Sequence, residues 1–186
     1  MTDLATMFRT LVRALDAAGI PYMVAGSVAS TAHGMPRSTQ DLDLVIDPPA
    51  EGALEALLAD LGGDFYYDPA SARQAYNQRG MFNLVDRSSG WKADLIIRKL
   101  RPFSGEEFRR RQRVELFGVT TFIATAEDVI ISKLDWSRQA GGSERQRCDV
   151  AGIVATAANL DRGYIARWVK EMGLAEEWRA SQPPAA

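Results

Sequence analysis

The run DLDLVI, from Asp41 to Ile46, sets two carboxylates one residue apart inside an apolar segment. Side chains at i and i+2 of a strand leave the same face of a sheet. Asp41 and Asp43 therefore project together, and Leu42 and Leu44 project the other way. Aspartate is a poor strand former. Two like charges that close raise each other's pKa unless a cation lies between them. The segment thus calls for a sheet with one face in a core and the opposite face open to something positive. A divalent metal meets that need, because Mg²⁺ prefers oxygen ligands and usually keeps waters and substrate phosphates in its shell.

A second apolar run, WKADLII, carries a third such carboxylate, Asp94. An unpaired buried carboxylate is costly, so Asp41, Asp43 and Asp94 are expected to share one metal site. Upstream, Gly26-Ser27 follows the strand-like YMVAG and precedes a small-residue stretch that predicts a helix closing near Gly34. Backbone N–H groups and a hydroxyl at such a helix start can grip a phosphate, and a glycine lets the ligand approach closely. Phosphate donors beside a carboxylate cage predict a nucleoside triphosphate with bound metal. Two ions would suit in-line attack at phosphorus.

The flanking pattern supports a mixed α/β chain. Apolar residues at helical spacing predict a helix over 3–18, ended by Gly19 and Pro21. Strands are expected over 22–26 and 42–46, and a helix over 51–63. A further short helix is expected over 70–79. MFNLVD and WKADLIIR flank Arg87-Ser88-Ser89-Gly90 as a β-hairpin. A helical turn is expected over 105–111, then two short strands around Gly118. Beyond them the pattern turns helical. Thr125-x-x-Asp128 is a capping-box spacing that opens a helix to about Arg138. Helices over 144–158, 161–172 and 174–179 follow. The expected division is a core with an N-terminal helix (1–124), a helical subdomain (125–180) and a disordered tail (181–186).

Composition narrows the classes. The chain has 186 residues, with 46% apolar and 25% charged, ordinary for a globular protein. Cys148 is the single cysteine, so neither an internal disulfide nor a cysteine zinc site is available. No apolar run approaches a membrane span, and charges at Asp3, Arg9, Arg13 and Asp16 argue against a signal peptide. A cytoplasmic protein with no membrane partner is expected. Net charge is −2, yet residues 98–113 hold seven Lys/Arg against two Glu. That local surplus could attract a polyanion. His33 is expected to make a polar loop contact, Cys148 to be a small buried residue, and the four tryptophans to serve packing.

These residues together resemble a known family. Gly26-Ser27, thirteen further residues, then Asp41-Leu42-Asp43 is similar to the signature of the nucleotidyltransferase, or DNA polymerase β-like, superfamily. Asp94 takes the place of its third carboxylate. RSTQDLD, from Arg37 to Asp43, resembles the R-x-T-x-D-[IL]-D motif of AbiEii-type bacterial nucleotidyltransferases, which include toxins of type IV toxin–antitoxin systems. SKLDWSR, with Lys133 and Arg138, and ERQRCDV, with Arg147 and Asp149, resemble their later motifs with changes.

The resemblance implies an α/β (α+β) nucleotidyltransferase fold: a mixed β-sheet flanked by helices and followed by a C-terminal helical subdomain. It implies Mg²⁺ (or Mn²⁺) on Asp41, Asp43 and Asp94, with Asp94 helping to deprotonate the attacking hydroxyl. Gly26 and Ser27 would bind the triphosphate, with Arg37 and Lys133 near its phosphates. Asp149 would anchor Lys133 or Arg147. The implied activity moves a nucleoside monophosphate from an NTP to a hydroxyl of an RNA 3′ end, a protein or a small molecule. An antitoxin is an implied partner. Two other function classes stay open: a non-catalytic nucleotide-binding module on a degenerate fold, and an antibiotic-modifying nucleotidyltransferase.

Overall fold

A computed structural model of the chain describes residues 3–35, 38–39 and 41–182. Helix α1 (Leu4–Ala17) is capped by Asp3, whose carboxylate accepts the Thr6 N–H at 2.8 Å. It buries Phe8, Leu11 and Leu15 on one face, the stripe the apolar spacing predicts. Strand β1 (Tyr22–Val24) follows, then α2 (Gly26–His33), β2 (Asp41–Ile46) and α3 (Glu51–Leu61). After β3 (Phe65–Tyr66) and α4 (Pro69–Gln78) comes the hairpin of β4 (Met81–Asp86) and β5 (Lys92–Ile97). Its turn is held by Asp86, which accepts the N–H groups of Ser88 and Ser89 at 2.7 and 2.9 Å.

Helix α5 (Pro102–Arg110) leads to β6 (Gln112–Leu116) and β7 (Val119–Ile123), and the rest is helical. Helix α6 (Ala126–Gln139) is capped by Thr125, whose hydroxyl accepts the Asp128 N–H. It is followed by α7 (Glu144–Thr156), α8 (Arg162–Glu171) and α9 (Ala175–Ala180).

The strands form one mixed seven-stranded sheet in the order β3-β4-β5-β2-β1-β7-β6. Strands β2 and β5 run parallel at its centre, as do β1 and β7, and the other neighbours are antiparallel. Leu42, Leu44, Ala93 and Leu95 are fully buried and join Phe8, Leu11, Leu15 and Leu57 in one apolar core. This is the expected mixed sheet flanked by helices with a helical C-terminal part.

Three departures from the sequence pattern have physical causes. Strand β3 has two residues, too short for any alternation to show. Helix α5 begins at Pro102 rather than near Gly105, because proline's fixed φ suits the first helical position. Cys148 is exposed instead of buried, since α7 buries only Val150 and Ile153 fully. Residues 183–186 of the expected tail lie outside the described residues. Among the described residues no helix is long and apolar enough to cross a membrane.

Candidate active site

The parallel pairing of β2 with β5 sets Asp43 directly opposite Asp94. Residues in register on neighbouring strands share a face, and Asp41, two positions before Asp43, shares it too. All three line one cavity of about 350 Å³ between the sheet and helices α5, α6 and α7. The next strand extends the row: Asn83 of β4 is in register with Asp94, and its amide donates to the Asp94 carboxylate. Asp41 leans the other way, with its Oδ1 at 4.0 Å from the Lys92 ammonium.

Asp43 is half-buried. Burial pushes its pKa up, the charges of Asp94 and Asp41 add to the rise, and the Ser27 N–H and Lys133 oppose it. Asp43 Oδ2 accepts that N–H at 3.2 Å. A carboxylate thus sits at the start of α2, where backbone N–H groups and the helix dipole favour negative charge. Gly26, the first residue of α2, has φ +54°, and a Cβ there would lie 1.9 Å from Asp43 Oδ2. Only glycine allows this approach.

The roof of the cavity is basic. Lys133, on α6, is buried rather than on the helix surface, at 4% exposure. Its ammonium donates to Asp149 Oδ2 at 2.7 Å and Gln146 Oε1 at 3.1 Å, both on α7. Of the two partners the sequence allowed Asp149, the structure pairs it with Lys133. One turn earlier on α7, the Arg145 guanidinium reaches Ser27 Oγ at 3.4 Å. Gly26, Ser27, Lys133 and the three aspartates are therefore brought together, whereas Arg37 falls outside the described residues.

Three lining residues were not singled out in the sequence as site residues. Arg145, not Arg147, faces the cavity. Residues 145 and 146 lie four and three positions before Asp149, so each neighbours it on the α7 surface, and the phase was legible once Asp149 was placed. Trp136 is half exposed at the cavity rather than packed in the core. Glu107 of α5 is buried against the cavity, where burial pushes its pKa to about 8, and no motif marks it. His33 keeps its expected polar role, with Nε2 at 2.7 Å from the Ala124 carbonyl oxygen.

The basic segment is largely spent on the protein itself. Arg98 pairs with Asp47 at 2.8 Å, Arg101 with Asp135 at 2.6 Å, and Arg110 with Glu127 and Asp128 at 3.3 Å. Arg109 pairs with Glu106, and Arg111 stacks over Phe108 and Phe122. The surplus of charge in the sequence is thus not a surplus of free charge on the surface.

The carboxylates fit a hard divalent cation in donor type and mutual repulsion. Among the described residues no three acidic, imidazole or thiol groups stand close enough to form a complete cage. Mg²⁺ needs none, since it is commonly held through one or two carboxylates plus substrate phosphates.

No family model matches the chain, and no curated protein matches it. Several solved structures are similar. The antibiotic-resistance factor ANT(2'')-Ia is 13% identical over 94% of this chain and 91% of its own, with a TM-score of 0.57. A nucleotidyltransferase-like protein from Paracoccidioides brasiliensis is 17% identical over 96% and 93%, with a TM-score of 0.56. The lincosamide antibiotic adenylyltransferase LnuA is 9% identical over 84% and 98%, with a TM-score of 0.54. At such identities the likeness is one of fold, and that fold is the nucleotidyltransferase fold.

Proposed function

We propose that the chain is a metal-dependent nucleotidyltransferase that moves a nucleoside monophosphate from an NTP to a hydroxyl of a small-molecule acceptor. The observation that carries this is the register of Asp43 with Asp94, with Asp41 on the same face, below Ser27, Lys133 and Arg145 in one cavity. Asp43 and Asp94 would hold the divalent ion, with waters and phosphate oxygens filling its shell and Asp41 adding negative charge on the same face. Bound there, the ion would neutralise the crowded carboxylates and polarise the phosphates. The Ser27 hydroxyl, Lys133 and Arg145 line the same cavity and would turn to the triphosphate tail to stabilise the charge that builds on the leaving group. Arg37 belongs to the same role by resemblance.

Asn83 orients the Asp94 carboxylate, which takes the proton of the acceptor hydroxyl. The hydroxyl oxygen bonds to the α-phosphorus as the α–β bridging bond breaks, and pyrophosphate leaves with the electron pair. The small-molecule acceptor is favoured over RNA because Arg98, Arg101 and Arg110 of the basic segment are ion-paired within the protein, and because ANT(2'')-Ia and LnuA, of the same fold, are antibiotic-directed proteins. An antitoxin-paired role would be a biological setting for the same chemistry. It would require a small protein encoded alongside that binds and silences this chain.

The test is pyrophosphate release with Mg²⁺, each NTP and a cell-extract acceptor pool, with α-labelled NTP to find the product. Wild type should label a small molecule, and Asp43→Ala should lose at least about 100-fold in rate, as for loss of a major transition-state contact, with an unchanged circular dichroism spectrum. Wild-type turnover in the mutant refutes the assignment. Nucleotide binding without turnover would point to a non-catalytic module.

A further inference from the structure

On its helical side the cavity holds a polar corner that the proposed transfer chemistry does not use. Its centre is Glu107, 6% exposed, whose Oε2 accepts the Ser132 hydroxyl at 2.8 Å. Among the described residues the other carboxyl oxygen takes no hydrogen bond, although Glu107 lines the cavity. Ser132 and Trp136 are four apart on α6, so they stand side by side on one helix face, and both line the cavity. Trp136, half exposed, offers a flat apolar wall beside the carboxyl. Along β5, Asp94 and Ile97 also line the cavity, and three residues of strand span roughly 10 Å. The polar corner and the carboxylates therefore open into one cavity.

We propose that Glu107, oriented by Ser132 and flanked by Trp136, reads the nucleobase of the bound NTP and sets which base is accepted. This rests on the nucleotidyltransferase function proposed above. Other groups face the carboxyl from the helices packed on it. Asp128 and Asp135 of α6 disfavour its ionisation and Arg101 favours it, while burial dominates and keeps it protonated at neutral pH. With Ser132 donating to Oε2, the proton resides on the other oxygen. The site then offers a neutral O–H donor to a ring nitrogen or carbonyl of the base, with the base stacked on the indole. A site built to hydrogen-bond one edge rejects ligands that lack the matching group, because its buried polar atoms would be left unpaired.

The experiment is calorimetric titration of the full chain with ATP, GTP, CTP, UTP and inorganic triphosphate, in Mg²⁺, for wild type, Glu107→Ala, Glu107→Gln and Trp136→Ala. Wild type should prefer one NTP. Glu107→Ala should weaken that NTP about tenfold, as for one lost hydrogen bond, compress the differences among the four, and leave triphosphate unchanged. Glu107→Gln, which keeps a neutral donor, should recover most of the affinity. Wild-type affinity should fall as pH rises through about 8, whereas the Gln variant stays flat. Equal loss across all NTPs and triphosphate, or none, overturns the base-reading role while leaving the function standing. Absence of NTP binding to folded wild type overturns both. Melting curves show which variants are folded, and Glu107→Gln decides the matter if Glu107→Ala is not.

Discussion

At the residue scale, the close packing of the site turns on Gly26. Its φ of +54° and the 1.9 Å that would separate a Cβ there from Asp43 Oδ2 both require the absence of a side chain. Gly26→Ala should cost about 1–3 kcal/mol in urea unfolding, the cost of a strained left-handed residue. It should also lower transfer more than stability, because Asp43 must move. An Ala variant with wild-type stability and turnover would contradict the close packing at this strand end. The sequence led to the expectation of a phosphate grip at Gly26-Ser27, and it showed the same-face pairing of Asp41 and Asp43. It held no sign that Asp43 itself accepts the Ser27 N–H, since that contact joins residues sixteen apart through the sheet.

At the element scale, α5, α6 and α8 are tied by a buried polar knot. Asp128 is fully buried, and it accepts hydrogen bonds from Thr125, Tyr164 and Arg110. Its burial is tolerable because several donors meet it. Tyr164→Phe removes one of them and should destabilise the protein by about 2 kcal/mol, the usual range for a hydrogen bond to a charged group. Denaturant unfolding checks this, and a change under about 0.5 kcal/mol, the size of a neutral surface substitution, would show that Asp128 does not rely on the phenol. Thr125 and Asp128 were visible as a cap by their spacing. Tyr164 and Arg110 were not, because they come from helices 36 and 18 residues away.

At the scale of the whole molecule, buried acids set the response to pH. Glu107 has a folded pKa of about 8 against an ordinary 4.5. The folded state therefore holds its proton more tightly than the unfolded chain. Its contribution to stability is full below about pH 4.5 and is lost as pH rises to about 8, at up to about 1.4 kcal/mol per pH unit. Asp135 has the opposite sign: burial works against it, but the Arg101 and Arg138 guanidinium groups hold its pKa below 3.8, so its contribution is lost in acid. The wild-type urea midpoint should decline between pH 5 and 8, and Glu107→Gln should flatten that decline. Parallel profiles would mean that the carboxyl is solvated. What the chain determined by itself was local: periodicity placed nearly every helix and strand, and alternation placed Asp41 and Asp43 on one face and Leu42 and Leu44 on the other. Only the tertiary structure decided what lies across from those faces. Strand register brought Asp94 beside Asp43 and Asn83 beside Asp94, helix packing set Arg145 and Glu107 on the same cavity, and ion pairs took up Arg98, Arg101 and Arg110 of the basic segment. Such contacts depend on the order of strands and the docking of helices, and backbone periodicity carries no record of either.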